Sequence, residues 1–178
     1  MGTKNCCSRR RRLYCSGEGL GGLLAFSELT LETGAALPLE LADAMNSCTD
    51  PRIKLLRVAL APPWHAETDR LALSALDKLR TEAASRHHVL CAFEANVRAR
   101  LGEANVAKEL LARAIAANPR LTGAYKDLGD VYLQTWDIER AWHCWDIARR
   151  IAPFHPVLKG VEAFEQALLR DHFEYFSI

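Results

Sequence analysis

A single pattern of small and bulky residues occupies residues 122–153 and constrains the fold more than any other feature. Its members are Tyr125, Leu128, Gly129, Tyr132, Ala141, Trp145, Ala148 and Pro153. The first four share one face at helical spacing, and Ala141, Trp145 and Ala148 share a face of the next segment. Proline cannot continue a hydrogen-bonded turn, so Pro153 ends that segment. The pattern predicts two helices packed together, with small residues opposite bulky ones.

The second half of this pattern occurs again 34 residues earlier. The pairs are Ala107 with Ala141, Leu111 with Trp145, Ala114 with Ala148, and Pro119 with Pro153. A generic amphipathic hairpin explains one copy, but a second copy at a fixed spacing indicates a repeat architecture. The leading helix of the earlier copy departs from the pattern. It has Cys91, Glu94 and Arg98 in the positions of Tyr125, Leu128 and Tyr132.

The two copies resemble the tetratricopeptide repeat, whose signature W-x2-L-G-x2-Y…A-x3-F…P has Tyr125 and Trp145 in its variable aromatic positions. The resemblance implies two repeats, at 88–121 and 122–155. It implies an all-α fold of antiparallel helix–turn–helix repeats, an α-solenoid, with flanking cap helices. It also implies a non-catalytic module that binds a peptide or another protein in a concave groove lined by the leading helices.

The resemblance places six side chains of this chain along the groove. They are Asn96, Arg100, Lys126, Asp127, Asp130 and Gln134. An ordinary solvated helix surface explains the same residues equally well. Some family members grip the terminal carboxylate of chaperones with Lys, Asn and Arg, and here only Asn96 keeps its place. The other slots hold Ala92, Asp127, Val157 and Val161, so we expect a ligand of mixed charge instead of a chaperone tail.

The flanks of the two repeats predict further helices within a repeat domain at 50–172. Asp50-Pro51 starts a helix that Pro62-Pro63 ends, and a second helix runs from about 67 to 85. The predicted apolar positions of this degenerate unit are Ile53, Leu56, Leu60, Ala72, Ala75, Leu76, Leu79 and Ala83. A cap helix covers 156–171. The aromatic tail at 173–178 is expected to fold back over that helix rather than enter a neighbour's groove.

Residues 19–49 are harder to assign. Five apolar residues suit a helix that ends at Gly34, although 26–33 also alternates as a short strand does. These residues are Leu23, Leu24, Phe26, Leu29 and Leu31. We predict the helix, followed by a short helix at 38–45 that begins with Pro38.

Residues 1–18 form a basic, cysteine-containing arm whose composition predicts disorder. Glu18 and several glycines interrupt the apolar core that a secretory signal requires. A second interpretation is a lipid anchor, in which Gly2 is myristoylated and Cys6 and Cys7 are palmitoylated beside the arginines at 9–12. The match is imperfect, since the myristoylation pattern has Ser or Thr at the position of Cys6.

Composition excludes several classes of protein. The 178 residues are 49% hydrophobic, so the chain can bury a core. The net charge is +1, so there is no excess of positive charge of the kind that indicates binding to nucleic acid. No apolar run reaches the roughly 18 residues of a membrane-spanning helix. The six cysteines include no C-x-x-C pair, which favours a reduced cytoplasmic compartment, with peripheral membrane attachment if the arm is acylated.

Catalytic signatures are absent from the sequence, so we predict no enzyme activity and no cofactor. His87, His88 and Cys91 are metal ligands by type, but adjacent helical residues point about 100° apart, which argues against a metal site. Two alternatives to peptide binding stay open. One is an assembly component whose apolar caps or aromatic tail pair with another copy, and the other is a metal-binding or catalytic protein.

Overall fold

Helices make up the secondary structure throughout the described chain. The computed structural model describes residues 19–36, 43, 46–60, 65–83 and 85–175. In those ranges eight α-helices have defined bounds and there is no strand. They are α1 Gly19–Thr33, α2 Pro51–Leu60, α3 Ala66–Glu82, α4 His87–Arg100, α5 Ala104–Ala117, α6 Thr122–Gln134, α7 Ile138–Ile151 and α8 Lys159–Asp171. Short 3-10 helices lie at Pro156–Leu158 and Phe173–Tyr175. The predicted all-α class is confirmed.

Consecutive helices pack as antiparallel hairpins. α2 pairs with α3, α4 with α5, and α6 with α7, and these hairpins stack through contacts of α3 with α4 and of α5 with α6. Only three residues form the turn of the α4–α5 hairpin, and three form that of the α6–α7 hairpin. Because such short turns reverse the chain direction, the two helices of each hairpin lie side by side. The structure is therefore a helical-repeat-like stack.

The two central hairpins repeat in detail. The second helices α5 and α7 have first and last residues 34 positions apart. The turns match as well, because Gly102 and Trp136 both adopt left-handed backbone with φ of 81° and 62°. Asn118 and Ala152, which follow the second helices, have similar backbone angles, with φ of −142° and −143° and ψ of 96° and 86°. The period inferred from the sequence is thus a period of the backbone.

The small and bulky residues of the second hairpin meet as predicted. Trp145 is 2% exposed, and Ala141 is fully buried beside it. A Cβ added to Gly129 would lie 2.5 Å from Trp145 Cδ1 and 3.0 Å from the carbonyl oxygen of Ala141. Only glycine therefore lets α6 approach α7 this closely.

The first of these hairpins replaces apolar contacts on its leading helix with ion pairs. Glu94 occupies the position that Leu128 has in the second hairpin, and it is buried. Its carboxylate pairs with Arg80 of α3 and with Arg98, whose Nε lies 3.3 Å away. Arg98 also donates from Nη1 to Glu103 Oε2 at 2.6 Å. The departure from the repeat pattern in α4 is thus a charged contact between α3 and α4.

The hairpin of α2 and α3 follows its prediction with two corrections. The backbone N–H of Arg52 donates to Asp50 Oδ1 at 2.9 Å, which caps the start of α2. Ile53 and Leu56 are fully buried, but Leu60 is 37% exposed, and Ala59 takes its expected place in the core. The four predicted apolar residues within α3 are buried, and so is Ala83 just beyond its end.

The predicted end of α3 at residue 85 is wrong. α3 ends at Glu82, because Ala83 is extended and its N–H closes the last turn on Leu79 O. Arg86 then adopts left-handed backbone with a φ of 61°, which directs the chain into α4. The sequence here contains no glycine or proline that would have marked this turn.

α1 is a helix that ends at Thr33, followed by Gly34 with a φ of 74°, as predicted. The strand interpretation of 26–33 is therefore wrong. Leu20, Leu23 and Leu24 are buried in a core shared with α2, α3 and α4. The short helix predicted at 38–45 and the prolines at 62–63 lie outside the described residues, apart from residue 43.

Polar contacts hold α1 across three successive repeat boundaries. Glu28 accepts from Arg86 Nε at 2.9 Å and lies 2.7 Å from His88 Nε2 at the start of α4. Asn118 Nδ2, before α6, donates to Glu28 at 2.8 Å. His155 Nε2, before the 3-10 helix, lies 3.1 Å from the carbonyl oxygen of Thr30. Burial alone would raise the pKa of Glu28, but these hydrogen bonds outweigh it, so the pKa is lowered.

The cap helix starts later than predicted, since Pro156–Leu158 is a 3-10 turn and α8 begins at Lys159. Leu158 and Val161 are buried, whereas Phe164 and Leu169 stay more than a third exposed. The expectation that the tail folds back is wrong for Phe173, which is 67% exposed. Residues 176–178 lie outside the described chain.

Candidate functional site

The leading helices α4 and α6 carry the six residues predicted for the groove. We call this set the leading-helix surface: Asn96, Arg100, Lys126, Asp127, Asp130 and Gln134. Asn96 and Arg100 lie on the last two turns of α4, and the other four lie on α6. Hydrogen bonds and ion pairs connect five of the six to a neighbouring side chain, which makes this a built polar surface instead of a row of separate charges.

A hydrogen bond between Asn96 and Asp127 joins the two leading helices. Asn96 Nδ2 donates to Asp127 Oδ2 at 2.9 Å. Within the described chain, the Asp127 carboxylate accepts this one hydrogen bond. The other carboxylate oxygen, Oδ1, lies 4.0 Å from Lys126 Nζ. The side chain of Asp127 is 19% exposed. One carboxylate oxygen therefore stays available to a donor that approaches from solvent.

Burial raises the pKa of Asp127 to about 6, although the hydrogen bond from Asn96 and the charge of Lys126 act to lower it. The nearby charge of Asp130 acts in the same direction as burial. A buried carboxylate that keeps its charge near neutral pH gains when a positive partner arrives. Asp127 is thus the group on this surface that responds most, through its ionisation, to the arrival of a positively charged partner.

Lys126 and Asp130 form an ion pair one turn apart on α6. Lys126 Nζ lies 2.5 Å from Asp130 Oδ2. Burial acts to lower the pKa of Lys126, but the hydrogen bond and charge of Asp130 outweigh it and the pKa is raised. Trp145 Nε1 donates to Asp130 Oδ1 and to the carbonyl oxygen of Lys126, each at 3.2 Å. The pair is therefore anchored to the core of its own hairpin.

Arg100 faces the preceding hairpin. Its guanidinium donates from Nη2 to Asp69 Oδ1 at 2.7 Å and from Nε to the same carboxylate at 3.1 Å. Asp69 is 4% exposed, so this two-pronged ion pair bridges α3 and α4 in a partly buried setting. The sixth residue, Gln134, is exposed at the end of α6. Positive and negative groups both lie on this surface, as the sequence indicated.

Among the residues of metal-binding type, His87 is exposed, while Cys91 and His88 have structural roles. Cys91 is buried in the core between the hairpins, and His88 lies on Glu28. Burial raises the pKa of Cys144 to about 11, with a further contribution from Asp137, so it is a neutral thiol at pH 7. Across the described part of the chain, no group of three His, Cys, Asp or Glu side chains could hold a metal ion.

The predicted lipid acceptors Gly2, Cys6 and Cys7 lie outside the described residues. As for the helices that are described, none combines the length and the apolar character needed to cross a bilayer.

Sequence reasoning missed two residues. Asp69 had no motif to mark it as the partner of Arg100, because the contact joins different hairpins. Trp136 is 85% exposed in left-handed backbone, in the turn position that Gly102 occupies in the preceding hairpin. Comparing the copies 34 residues apart would have revealed that a bulky residue replaces glycine at this position. Tryptophan rarely adopts the left-handed backbone conformation that the turn requires.

Comparisons of the chain with protein-family models, with curated proteins and with solved structures found no match.

Proposed function

We propose that this chain is a tetratricopeptide-type repeat protein that binds a peptide or another protein across α4 and α6. The repeating backbone geometry of the two hairpins supports the repeat type, together with the contact of Gly129 with Trp145. In this proposal the module has no catalysis of its own, and the bound segment lies on the leading-helix surface.

The incompletely bonded carboxylate of Asp127 carries the proposal. A purely structural carboxylate between two helices is expected to have most of its acceptor sites filled, since an unsatisfied buried polar group costs roughly 1–3 kcal/mol. Asp127 instead accepts a single hydrogen bond, from Asn96, and keeps partial exposure to solvent. A ligand with a lysine, arginine or N-terminal amine supplies the missing donor.

The neighbours of Asp127 indicate that the ligand also carries negative charge. Lys126 lies on one side of it, and its positive charge is shared with Asp130. Arg100 lies on α4, where its side chain is 31% exposed although it is bonded to Asp69. A segment with alternating charges matches both kinds of group, and such pairing contributes mainly to specificity and association rate.

The experiment selects binders from a displayed peptide library with the full-length chain and compares their affinity for two variants. The surface variant is Lys126→Ala with Asp130→Asn, because asparagine keeps an oxygen acceptor for Trp145. The matched control is Arg113→Ala with Glu109→Gln on α5. Like the surface variant, it removes one positive and one negative charge, here from exposed positions.

We expect the surface variant to bind selected peptides about tenfold or more weakly, equivalent to roughly 1.4 kcal/mol, and the control to bind as wild type does. Circular dichroism confirms that both variants fold. If the folded surface variant binds the peptides with the same affinity as wild type, the binding site lies elsewhere and the proposal is wrong.

A further inference from the structure

The ion pairs on the leading-helix surface leave one carboxylate without a hydrogen-bonded cation. Arg100 pairs with Asp69 at 2.7 Å. Lys126 pairs with Asp130 at 2.5 Å. Among the described residues, the hydrogen bond that Asp127 accepts comes instead from a neutral amide. Three carboxylates therefore share two cations here, and the charge left over is that of Asp127.

The nearest cation of the chain is held away from this carboxylate. Lys126 Nζ lies 4.0 Å from Asp127 Oδ1, beyond the roughly 2.7–3.2 Å of an N–H···O hydrogen bond. Asp130 holds the same ammonium through its Oδ2, and Trp145 Nε1 fixes Asp130 by donating to its Oδ1 at 3.2 Å. A ligand donor at Asp127 Oδ1 therefore takes a position that Lys126 leaves open.

The orientation of the Asp127 carboxylate selects the kind of cation. Asn96 Nδ2 donates to Oδ2 at 2.9 Å, which leaves Oδ1 as the open acceptor. A guanidinium binds best to both oxygens of one carboxylate, as Arg100 binds Asp69 at 2.7 Å to Oδ1 and 3.2 Å to Oδ2. A primary ammonium is compact, and its three donors rotate to suit a single oxygen.

The depth of Asp127 favours the same group. Its side chain is only 19% exposed, and burial raises its pKa to about 6. The ammonium of lysine ends an unbranched, flexible stem, which reaches a recessed carboxylate with less bulk than a planar guanidinium. A cation at this oxygen offsets the cost of the buried negative charge.

We infer that the ligand group that binds Asp127 is a primary ammonium, from a lysine side chain or a free amino terminus, and that this site discriminates against arginine. The inference rests on the proposed function and narrows its ligand to one class of cation. Asn96 is the positioning residue, because its amide directs the carboxylate so that Oδ1 is the open acceptor.

Calorimetric titration of the full-length chain with synthetic peptides tests the inference. The tightest binder from the library is made with each lysine as selected, replaced by arginine, or replaced by norleucine, and with its amino terminus free or acetylated. Each form is titrated into wild type, into Asp127→Asn and into the control Asp77→Asn, whose carboxylate is exposed on α3.

We expect one removal of an ammonium to weaken binding to wild type and to the control about tenfold or more, as for a hydrogen bond to a charged group. Loss with norleucine assigns the group to a lysine side chain, and loss with acetylation assigns it to the amino terminus. For a lysine, replacement by arginine should not restore the affinity. Asp127→Asn should bind the peptides with and without this ammonium about equally.

The inference is overturned if arginine binds as tightly as lysine at the assigned position, or if neither norleucine nor acetylation weakens binding. It also fails if Asp127→Asn still distinguishes the peptides as wild type does. If such peptides still bind the variant Lys126→Ala with Asp130→Asn more weakly, the proposed function stands and the ammonium inference alone is lost. Peptides that bind this surface variant as tightly as wild type end both.

Discussion

The carboxyl group of Asp127 is harder to ionise in the folded protein than in the unfolded chain. Burial raises its pKa from the ordinary value of 3.8 to about 6. Between these two values the folded state binds more protons than the unfolded state does, so stability falls as the pH rises through this window. Above about pH 6 the full cost of the buried charge is present, and below about pH 4 it is absent.

Asp127→Asn should therefore stabilise the folded protein at neutral pH. Asparagine keeps an oxygen for the hydrogen bond from Asn96 and removes the charge. We expect the free energy of unfolding to rise by about 1–3 kcal/mol at pH 7.5 and to change little at pH 4, since each pKa unit corresponds to roughly 1.4 kcal/mol. Urea denaturation at both pH values measures this change in the free energy of unfolding.

The matched control for that experiment is Asp77→Asn, which removes a carboxylate from an exposed position of α3. This control should leave stability within about 0.5 kcal/mol of wild type at either pH. If Asp127→Asn destabilises the protein at pH 7.5, the carboxylate is a structural partner and not a strained, available group.

Trp136 holds a backbone conformation that suits glycine. Its φ of 62° corresponds to the glycine position of the preceding hairpin, and its side chain is 85% exposed. Left-handed backbone costs a non-glycine residue about 1–2 kcal/mol, while glycine costs roughly 0.5–1 kcal/mol in unfolded-state entropy.

Trp136→Gly should consequently raise the free energy of unfolding by up to about 1 kcal/mol. Thermal and urea denaturation check this, with Gly102→Trp as the reverse change, which should destabilise. A marked loss of stability in Trp136→Gly would show that the indole makes contacts that its exposure does not suggest.

The packing of α6 on α7 can be tested with two glycines in different helices. Gly129 faces Trp145 with no room for a methyl group, whereas a Cβ on Gly160 of α8 meets nothing within 4 Å. Gly129→Ala should destabilise the protein by about 1–3 kcal/mol through overpacking. Gly160→Ala should stabilise it by roughly 1 kcal/mol, because alanine is the better helix former.

Melting temperatures of the two glycine variants decide the register of the hairpin. Stabilisation by both substitutions would mean that α6 and α7 do not approach at Gly129, and the assignment of this residue as the close contact would be lost.

Helical hairpins follow from local patterns, and for that reason most of them were predictable. The spacing of Gly129, Ala141 and Trp145 defines one hairpin within a few dozen residues, and no distant information is needed. The end of α3 was misplaced because its turn uses Arg86 in left-handed backbone, which no residue preference announces. Strained turns of this kind are set by tertiary packing.

Contacts between distant elements could not be predicted in the same way. Glu28 connects α1 to residues 58 to 90 positions later in the chain, and one sequence shows no periodicity across such separations. The same applies to Asp69 and Arg100, which come from different hairpins. The charged character of the leading-helix surface was predictable, but its internal pairing was not.

At the scale of the whole molecule, the described helices carry the leading-helix surface. That surface lies on α4 and α6, and α1 bonds to residues at the boundaries of the hairpins. The amino-terminal arm, with Gly2, Cys6 and Cys7, lies outside the described residues, and its acylation stays a prediction. Intact-mass measurement on protein from its native cells tests it, and an unmodified arm would leave the module untethered.

Hydrogen exchange of the full chain, with and without a selected peptide, tests the binding proposal most directly. We expect the peptide to slow exchange of the amides in α4 and α6 and of the side-chain amide of Asn96, and to leave α5 unchanged. We also expect affinity to fall as Asp127 is protonated below about pH 6. Protection confined to α8 or to α1, with α4 and α6 unaffected, would contradict the account.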